Sequence, residues 1–317
     1  MRAMVALAFV LAADFASAQA FPSKPIRVIV PYGAGGTSDI LARGVAPRMQ
    51  EALGQPVLVE NKPGANGNVG ADFVAKSAPD GSTVLLADIG ALAISPSVYP
   101  KLPFDVARDF APVVMISYSP HVVAVHPSVP VANLKELIAY AKSNPEKLNF
   151  AISGVGGAPH LAGIEFASRT GAKWTYIPYK GGAPAVADTI GGQANVVFNG
   201  MLATWPAVTG GKLKALAVTS AQRVASAPDT PTVAETLPGF ETGSFQGVVA
   251  PAGTPREIVA RLNAEFAKAV NMPDSKERLA KQGTEVRTGT PEQFGEFIRT
   301  EMARWAKVVK DSGAKFD

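Results

Sequence analysis

The sequence predicts an α/β fold built as two lobes. Three observations carry that reading. Short apolar runs alternate with segments of helical period from residue 26 onward. The series pauses and restarts near residue 122. Each series also places a glycine-rich turn between a strand and a helix, 33-GAGGTSD-39 in the first and 154-GVGGAPH-160 in the second.

In the first series, Ile26–Val30 is a strand ended by Pro31, and residues 32–36 form a turn. Thr37, Ser38 or Asp39 is expected to N-cap a helix reaching Leu53, with Gly54 as its stop and Pro47 kinking or shortening it. Val57–Val59 is a second strand, residues 61–67 a loop, Val69–Ser77 a helix and Thr83–Ala87 a third strand. This βαβαβ order implies a parallel sheet with right-handed crossovers. The second series has strands at Val122–Val125, Leu148–Ile152, Trp174–Ile177, Val196–Phe198 and Ala215–Val218. Its helices are expected at Asn133–Ser143, Ala158–Thr170, 183–191 and 202–210. A strand near Val248–Ala250 and helices near 255–271, 274–282 and 291–311 follow. In the last helix Phe294, Phe297, Ile298, Trp305, Val308 and Val309 share one face. The expected division is therefore 21–106 with 224–317 as lobe one and 107–223 as lobe two.

Residues 1–20 read as a secretory signal peptide. Arg2 supplies the positive end, Val5–Ala13 the apolar run, and residues 16–20 two small-x-small cleavage patterns, so cleavage is expected near residues 18–20. No later run is long and apolar enough to span a bilayer.

Composition removes several functions. Of 317 residues 47% are hydrophobic and 18% charged, with a net charge of +4, which argues against disorder. Thirty basic against twenty-six acidic residues leave no basic surplus for nucleic acid. With no cysteine there is no disulfide, thiolate metal site or cysteine nucleophile, and three histidines leave little for a metal centre. No Gly-x-Ser-x-Gly elbow or His-Glu-x-x-His helix occurs. His121 and His126 flank a strand and read as structural or exposed.

The two glycine turns hold the chemistry. Amides at a helix N-terminus bind anions without a cationic side chain, and glycine lets the backbone come close. Neither turn is a dinucleotide fingerprint, since Ser38 and Pro159 stand at the sixth position. Alone, each reads first as a tight turn. As a pair, one per lobe, they leave a shared anion site and two plain turns as open alternatives. His160 is expected to cap its loop or touch a ligand. The stretch Tyr179-Lys180-Gly181-Gly182 is a third polar turn, either solvated or part of a site.

The strings 26-IRVIVPYGAGGTSDILAR-43 and 59-VENKPGANGNVGADFVAKSAPDGSTVLLA-87 closely resemble the Bug-type solute-binding proteins of tripartite tricarboxylate transporters. The resemblance continues through 99-YPKLPFDVARDFAPV-113, 160-HLAGIEFASRTG-171, 177-IPYKGGAPAVADTIGGQ-193, 211-GKLKALAVTS-220 and 250-APAGTP-255, in order along the chain. It implies a two-lobe periplasmic-binding-protein (venus-flytrap) fold with a ligand cleft between the lobes, no enzymatic activity and no cofactor or metal. It implies a monomer in the periplasm that captures a small organic carboxylate and delivers it to a two-subunit membrane permease. A module that signals ligand binding to a membrane sensor is the alternative. The carboxylate grip implied by the resemblance falls on Tyr32, Gly33, Ala34, Gly35, Gly36, Thr37, Ser38 and Asp39, and on Ser153, Val155, Gly156, Gly157, Ala158, Pro159 and His160. The far wall would use Asp88, Ile89, Gly90, Ala91 and Leu92 with Asn199 and Phe245, and Tyr179 of the third turn is a further candidate. Many relatives carry Ser or Thr in place of Ala158 and Pro159, and Asp in place of Asn199. A wall with few charges is expected to favour an apolar or aromatic acid over citrate. Hinges are expected near Phe104–Arg108 and Ser220–Ala225.

Overall fold

The computed structural model describes residues 21–145 and 147–313; the expected leader, residues 1–20, lies outside them. The first series forms β1 (Ile26–Val30), α1 (Thr37–Leu53), β2 (Val57–Asn61), α2 (Asn68–Ala75) and β3 (Thr83–Asp88). Both β2 and β3 pair with β1 in parallel, as the βαβαβ order requires. A π-helical turn, Gly90–Ile94, follows β3 and leads through α3 (Ser95–Val98) and α4 (Val106–Asp109) into β4 (Phe110–Val125). The second series is α5 (Leu134–Ser143), β5 (Asn149–Ile152), α6 (Ala158–Thr170), β6 (Thr175–Pro178), α7 (Gly182–Ile190), β7 (Val196–Gly200), α8 (Met201–Thr209) and β8 (Lys214–Val218). The return is β9 (Gly243–Pro251), α9 (Arg256–Asn271), α10 (Pro273–Lys281), β10 (Glu285–Val286) and α11 (Pro291–Ser312).

Sixteen-residue β4 joins the two halves. It runs antiparallel to β9 from Phe110 to Pro120, then to β7 and β8 from His121 or Val122 to Val125. The sequence shows only its last four residues as a strand, because Pro112 and Pro120 interrupt the pattern. The pairing with β9 shifts register between Pro112 and Val114, a bulge of the kind that accommodates a residue without an N–H.

Two other expectations change. The N-cap of α1 is Gly36, extended at φ −77° and ψ 170°, while Thr37, Ser38 and Asp39 are already helical. The Asp39 carboxylate turns back instead and accepts the Gly35 N–H at 2.9 Å. Asn61 Nδ2 and the Arg43 guanidinium also donate to it, and these donors hold its carboxyl below the usual range despite burial. Pro47 neither shortens α1 nor interrupts it. It sits on the exposed face, where water can satisfy the carbonyl it leaves unpaired.

Separate cores support the halves. Val28, Leu41, Met49, Val114, Val248 and Phe266 pack in the first; Phe150, Phe166, Trp174, Phe198, Val233 and Phe240 pack in the second. A smaller cluster bridges them: Ile94 and Val98 meet Ala158 and Leu161 of α6 and Trp305 of α11. The apolar face of α11 behaves as its spacing predicts, with Phe294, Ile298 and Trp305 buried.

Candidate functional site

Three helices, α1, α6 and α7, direct their N-terminal ends at one cavity of about 40 Å³, lined by Gly36, Thr37 and Ser38, by Gly157, Ala158 and Pro159, and by Gly181 and Gly182. The first amides of a helix have no carbonyl one turn earlier. In α1, Ile40 is the first to bond back, to Gly36, so the Thr37, Ser38 and Asp39 N–H groups remain. In α6, Leu161 bonds back to Gly157, and Pro159 has no N–H, which leaves the Ala158 N–H at the start of the helix. The remaining lining is polar: Tyr32, Asn66, Asp88, His121, Ser153, Asn199, Gly200, Ser244 and Gln246. Among the described residues no lysine or arginine lines the cavity, and Asp88 is its one carboxylate.

The lobes are drawn together around this space. The Gly33 N–H donates to the Lys180 carbonyl at 3.2 Å, and the Tyr99 hydroxyl to the Val155 carbonyl at 3.0 Å. A cavity this small has room for on the order of three waters.

Of the residues expected from sequence, Tyr32, Gly36, Thr37, Ser38, Asp88, Ser153, Gly157, Ala158, Pro159 and Asn199 come together at the cavity. The others lie elsewhere. Gly33 belongs to the contact with Lys180, and Ala34 and Gly35 are exposed on the outer side of the turn. Asp39 is held in its network behind the turn. Ile89, Gly90 and Ala91 are buried in the π-helical turn. Val155 takes the Tyr99 hydroxyl on its carbonyl, and Gly156 packs beneath Val98. His160 acts as the loop cap: its Nδ1 accepts the Gly156 N–H at 3.0 Å, and its ring meets Tyr176 edge-on. Tyr179 lies in a neighbouring groove. Phe245 packs on Tyr118 and Phe297, away from the cavity. Strand alternation is the reason: in β9 the cavity face belongs to Ser244 and Gln246, and Phe245 points to the opposite side.

Sequence reasoning missed Asn66, His121, Gly181, Gly182, Gly200, Ser244 and Gln246. Gly181 and Gly182 had a signal, a third glycine turn before a helix carrying an early proline. Ser244 and Gln246 carry none without knowledge of the register.

Burial pushes both His121 and His160 down to about 4, so each imidazole is neutral near pH 7. Their folded values lie below the ordinary 6.5 of the unfolded chain. Between those values the unfolded state binds more protons, so stability is full above pH 6.5 and falls as pH drops toward 4. Urea unfolding at stepped pH should show that loss, on the order of 3 kcal/mol per histidine, and His160→Asn should flatten part of it. A stability flat from pH 6.5 to 4 would contradict the burial of these rings.

The chain matches the profile of tripartite tricarboxylate transporter family receptors over residues 41–314. The chain belongs to that family. Solved structures agree. The periplasmic binding protein BugD shares 36% identity and a TM-score of 0.90, with 93% of this chain and 99% of that one covered. An R. palustris protein bound to adipate gives 36% and 0.90, with coverage of 92% and 98%. MatC from Rhodopseudomonas palustris with bound malate gives 32% and 0.87, with coverage of 91% and 100%. This tripartite tricarboxylate transporter receptor is thus a substrate-binding protein of periplasmic-binding-protein fold, and not an enzyme.

Proposed function

We propose that this receptor captures a small organic carboxylate between its lobes in the periplasm and delivers it to a two-subunit membrane permease. The observation that carries this reading is the convergence of three helix N-termini on one cavity lined by no cationic side chain. A carboxylate there takes amides from α1 and from α6 or α7 at once. Each charge-assisted bond contributes about 1.5–3 kcal/mol, and each helix dipole about 0.3–1 kcal/mol. Relatives that hold adipate and malate support the same class. Export with removal of residues 1–20 and action as a monomer complete the reading.

Because the grip draws on both lobes, the ligand binds the closed form better than the open one and shifts the population toward closure. We place the exchange between lobes at Pro120–His121 and Thr242–Ser244, not at 106/107 and 223/224. The pairing of Phe110–Pro120 with β9 and the packing of Val233 and Phe240 in the second core support this. The hinge follows those positions, in place of Phe104–Arg108 and Ser220–Ala225.

A thermal-shift screen of organic acids with and without EDTA, followed by calorimetry, tests the class. Acid binding that survives EDTA is expected; tight binding of an uncharged sugar with no acid bound would overturn it. Asn199 gives a second test. Its Nδ2 donates to Thr204 Oγ1 at 2.9 Å, and its Oδ1 lies where a side chain on Gly182 would come within 2.5 Å. Asn199→Asp sets a carboxylate beside the amides of α7, where it competes with the ligand for the same positive end. Acid binding should weaken about ten-fold or more; unchanged affinity would remove α7 from the grip.

A further inference from the structure

The floor of the cavity carries a directed chain of hydrogen bonds. Ser38 Oγ donates to Gln246 Oε1 at 2.6 Å, and Gln246 Nε2 donates to Ser244 Oγ at 3.1 Å. Ser244 Oγ faces Asp88 Oδ2 at 3.5 Å. From the other side, the Tyr32 hydroxyl and the Gly90 N–H both donate to Asp88 Oδ1. Every donor along this path points toward Asp88, so the carboxylate ends the chain as an acceptor. Oδ1 takes both of these donors and the Ala91 N–H also bonds to the carboxylate, while the contact of Ser244 with Oδ2 is long at 3.5 Å, the one a ligand donor could displace.

The charge around it sharpens the point. Asp88 has no cationic partner in the cavity lining, and His121, the ring nearest to carrying a charge there, is neutral near pH 7. Burial pushes the Asp88 carboxyl up from its ordinary value, so a second ligand carboxylate beside it would meet either repulsion or the need to protonate one of the two. A hydroxyl or an ammonium would instead donate to Oδ2. An unsubstituted alkyl chain would leave that oxygen facing carbon.

We infer that Asp88 determines specificity in this receptor, selecting carboxylates that carry a hydrogen-bond donor on the chain, a hydroxy or amino acid, over simple mono- and dicarboxylates. This rests on the carboxylate reading of the cleft and narrows it to a substrate class. The structural alternative is that Asp88 only anchors Tyr32 and the turn after β3. That role would affect stability and leave ligand ranking untouched.

Calorimetry on wild-type protein and Asp88→Asn separates these. The probes are alkanoates of four to eight carbons, each as the parent acid, the 2-hydroxy and 2-amino acids, the terminal hydroxy and amino acids, and the dicarboxylate. In the wild type, one donor-bearing acid should bind about ten- to a hundred-fold tighter than its parent and its dicarboxylate. The hydroxy and amino arms show which donor is used. In Asp88→Asn that advantage should disappear and the dicarboxylate should gain. If the parent acid or dicarboxylate binds best in the wild type, the inference is overturned, and that ranking decides even where Asp88→Asn fails to fold. An unchanged ranking in a folded Asp88→Asn overturns it equally. If no acid binds either protein, the carboxylate reading falls, and this inference with it.

Discussion

Gly156→Val should weaken ligand binding about ten-fold or more while leaving both lobes folded. Gly156 lies in the left-handed region at φ 70°, and a Cβ there would stand 2.3 Å from Val98 Cγ1. A valine costs about 1–2 kcal/mol for that conformation and about 1–3 kcal/mol for the overlap. Val98 comes from the segment after β3 and Gly156 from the loop before α6, so the overlap arises only when the lobes meet. The backbone strain falls on both forms and the overlap on the closed form alone, so affinity should fall about ten- to a hundred-fold. Circular dichroism should stay near native, calorimetry should show the weakened binding, and small-angle scattering should show less ligand-driven compaction at a given ligand concentration. Combining Gly156→Ala with Val98→Ala should recover part of the affinity, because the overlap is relieved. Wild-type affinity in Gly156→Val would mean that closure does not bring these two segments together. The effect is on closure and not on the ligand itself, because Gly156 lies behind the cavity wall, beneath Val98.

Phe166→Ala should cause the largest loss of stability. Phe166 is fully buried in α6, stacked on Trp174 at 5.6 Å and edge-on to Phe198 and Phe240 at 5.6 and 6.2 Å. Removing the ring sacrifices these contacts and leaves a cavity that the three other aromatic groups cannot collapse into without leaving their rotamers. The expected cost is about 3–5 kcal/mol, against a total stability on the order of 5–15 kcal/mol. Since α6 also supplies the Ala158 amide, ligand affinity should fall with stability. Urea unfolding followed by tryptophan fluorescence measures the first, and Phe166→Leu should retain more than half of the stability. A loss below 1 kcal/mol would show that this core repacks freely.

Local signals gave most of the fold. Apolar runs bounded by proline and glycine mark β1, β3, β5 and β7, and Gly54 stops α1 in the left-handed conformation expected of it. Long-range pairing was not legible. β4 reads as broken at Pro112 and Pro120, and only its partner β9 makes it one strand. The candidate site divides the same way. The turns before α1 and α6 identify themselves by glycine and by position between strand and helix. Ser244 and Gln246 become cavity residues only through the register that sets β9 opposite Asp88 on β3. Phe245 was the natural choice from composition, being large and aromatic, and strand alternation turns it away. His121 looked structural beside a strand, yet its Nε2 has no hydrogen-bond partner among the described residues and its ring lines the cavity. Asn66 could not be anticipated, since its placement depends on a left-handed conformation at φ 54° that only a few residue types tolerate.

The central claim is that backbone amides at the starts of α1 and α6 hold one carboxylate. Amide nitrogen and proton shifts, followed as the best acid from the screen is titrated into labelled protein, test it most directly. The Thr37, Ser38 and Ala158 amide protons should move downfield together and saturate at the stoichiometry given by calorimetry, because each donates to the same anion. An acid that binds with one-to-one stoichiometry and leaves those three amides unmoved would place the ligand elsewhere and contradict the claim.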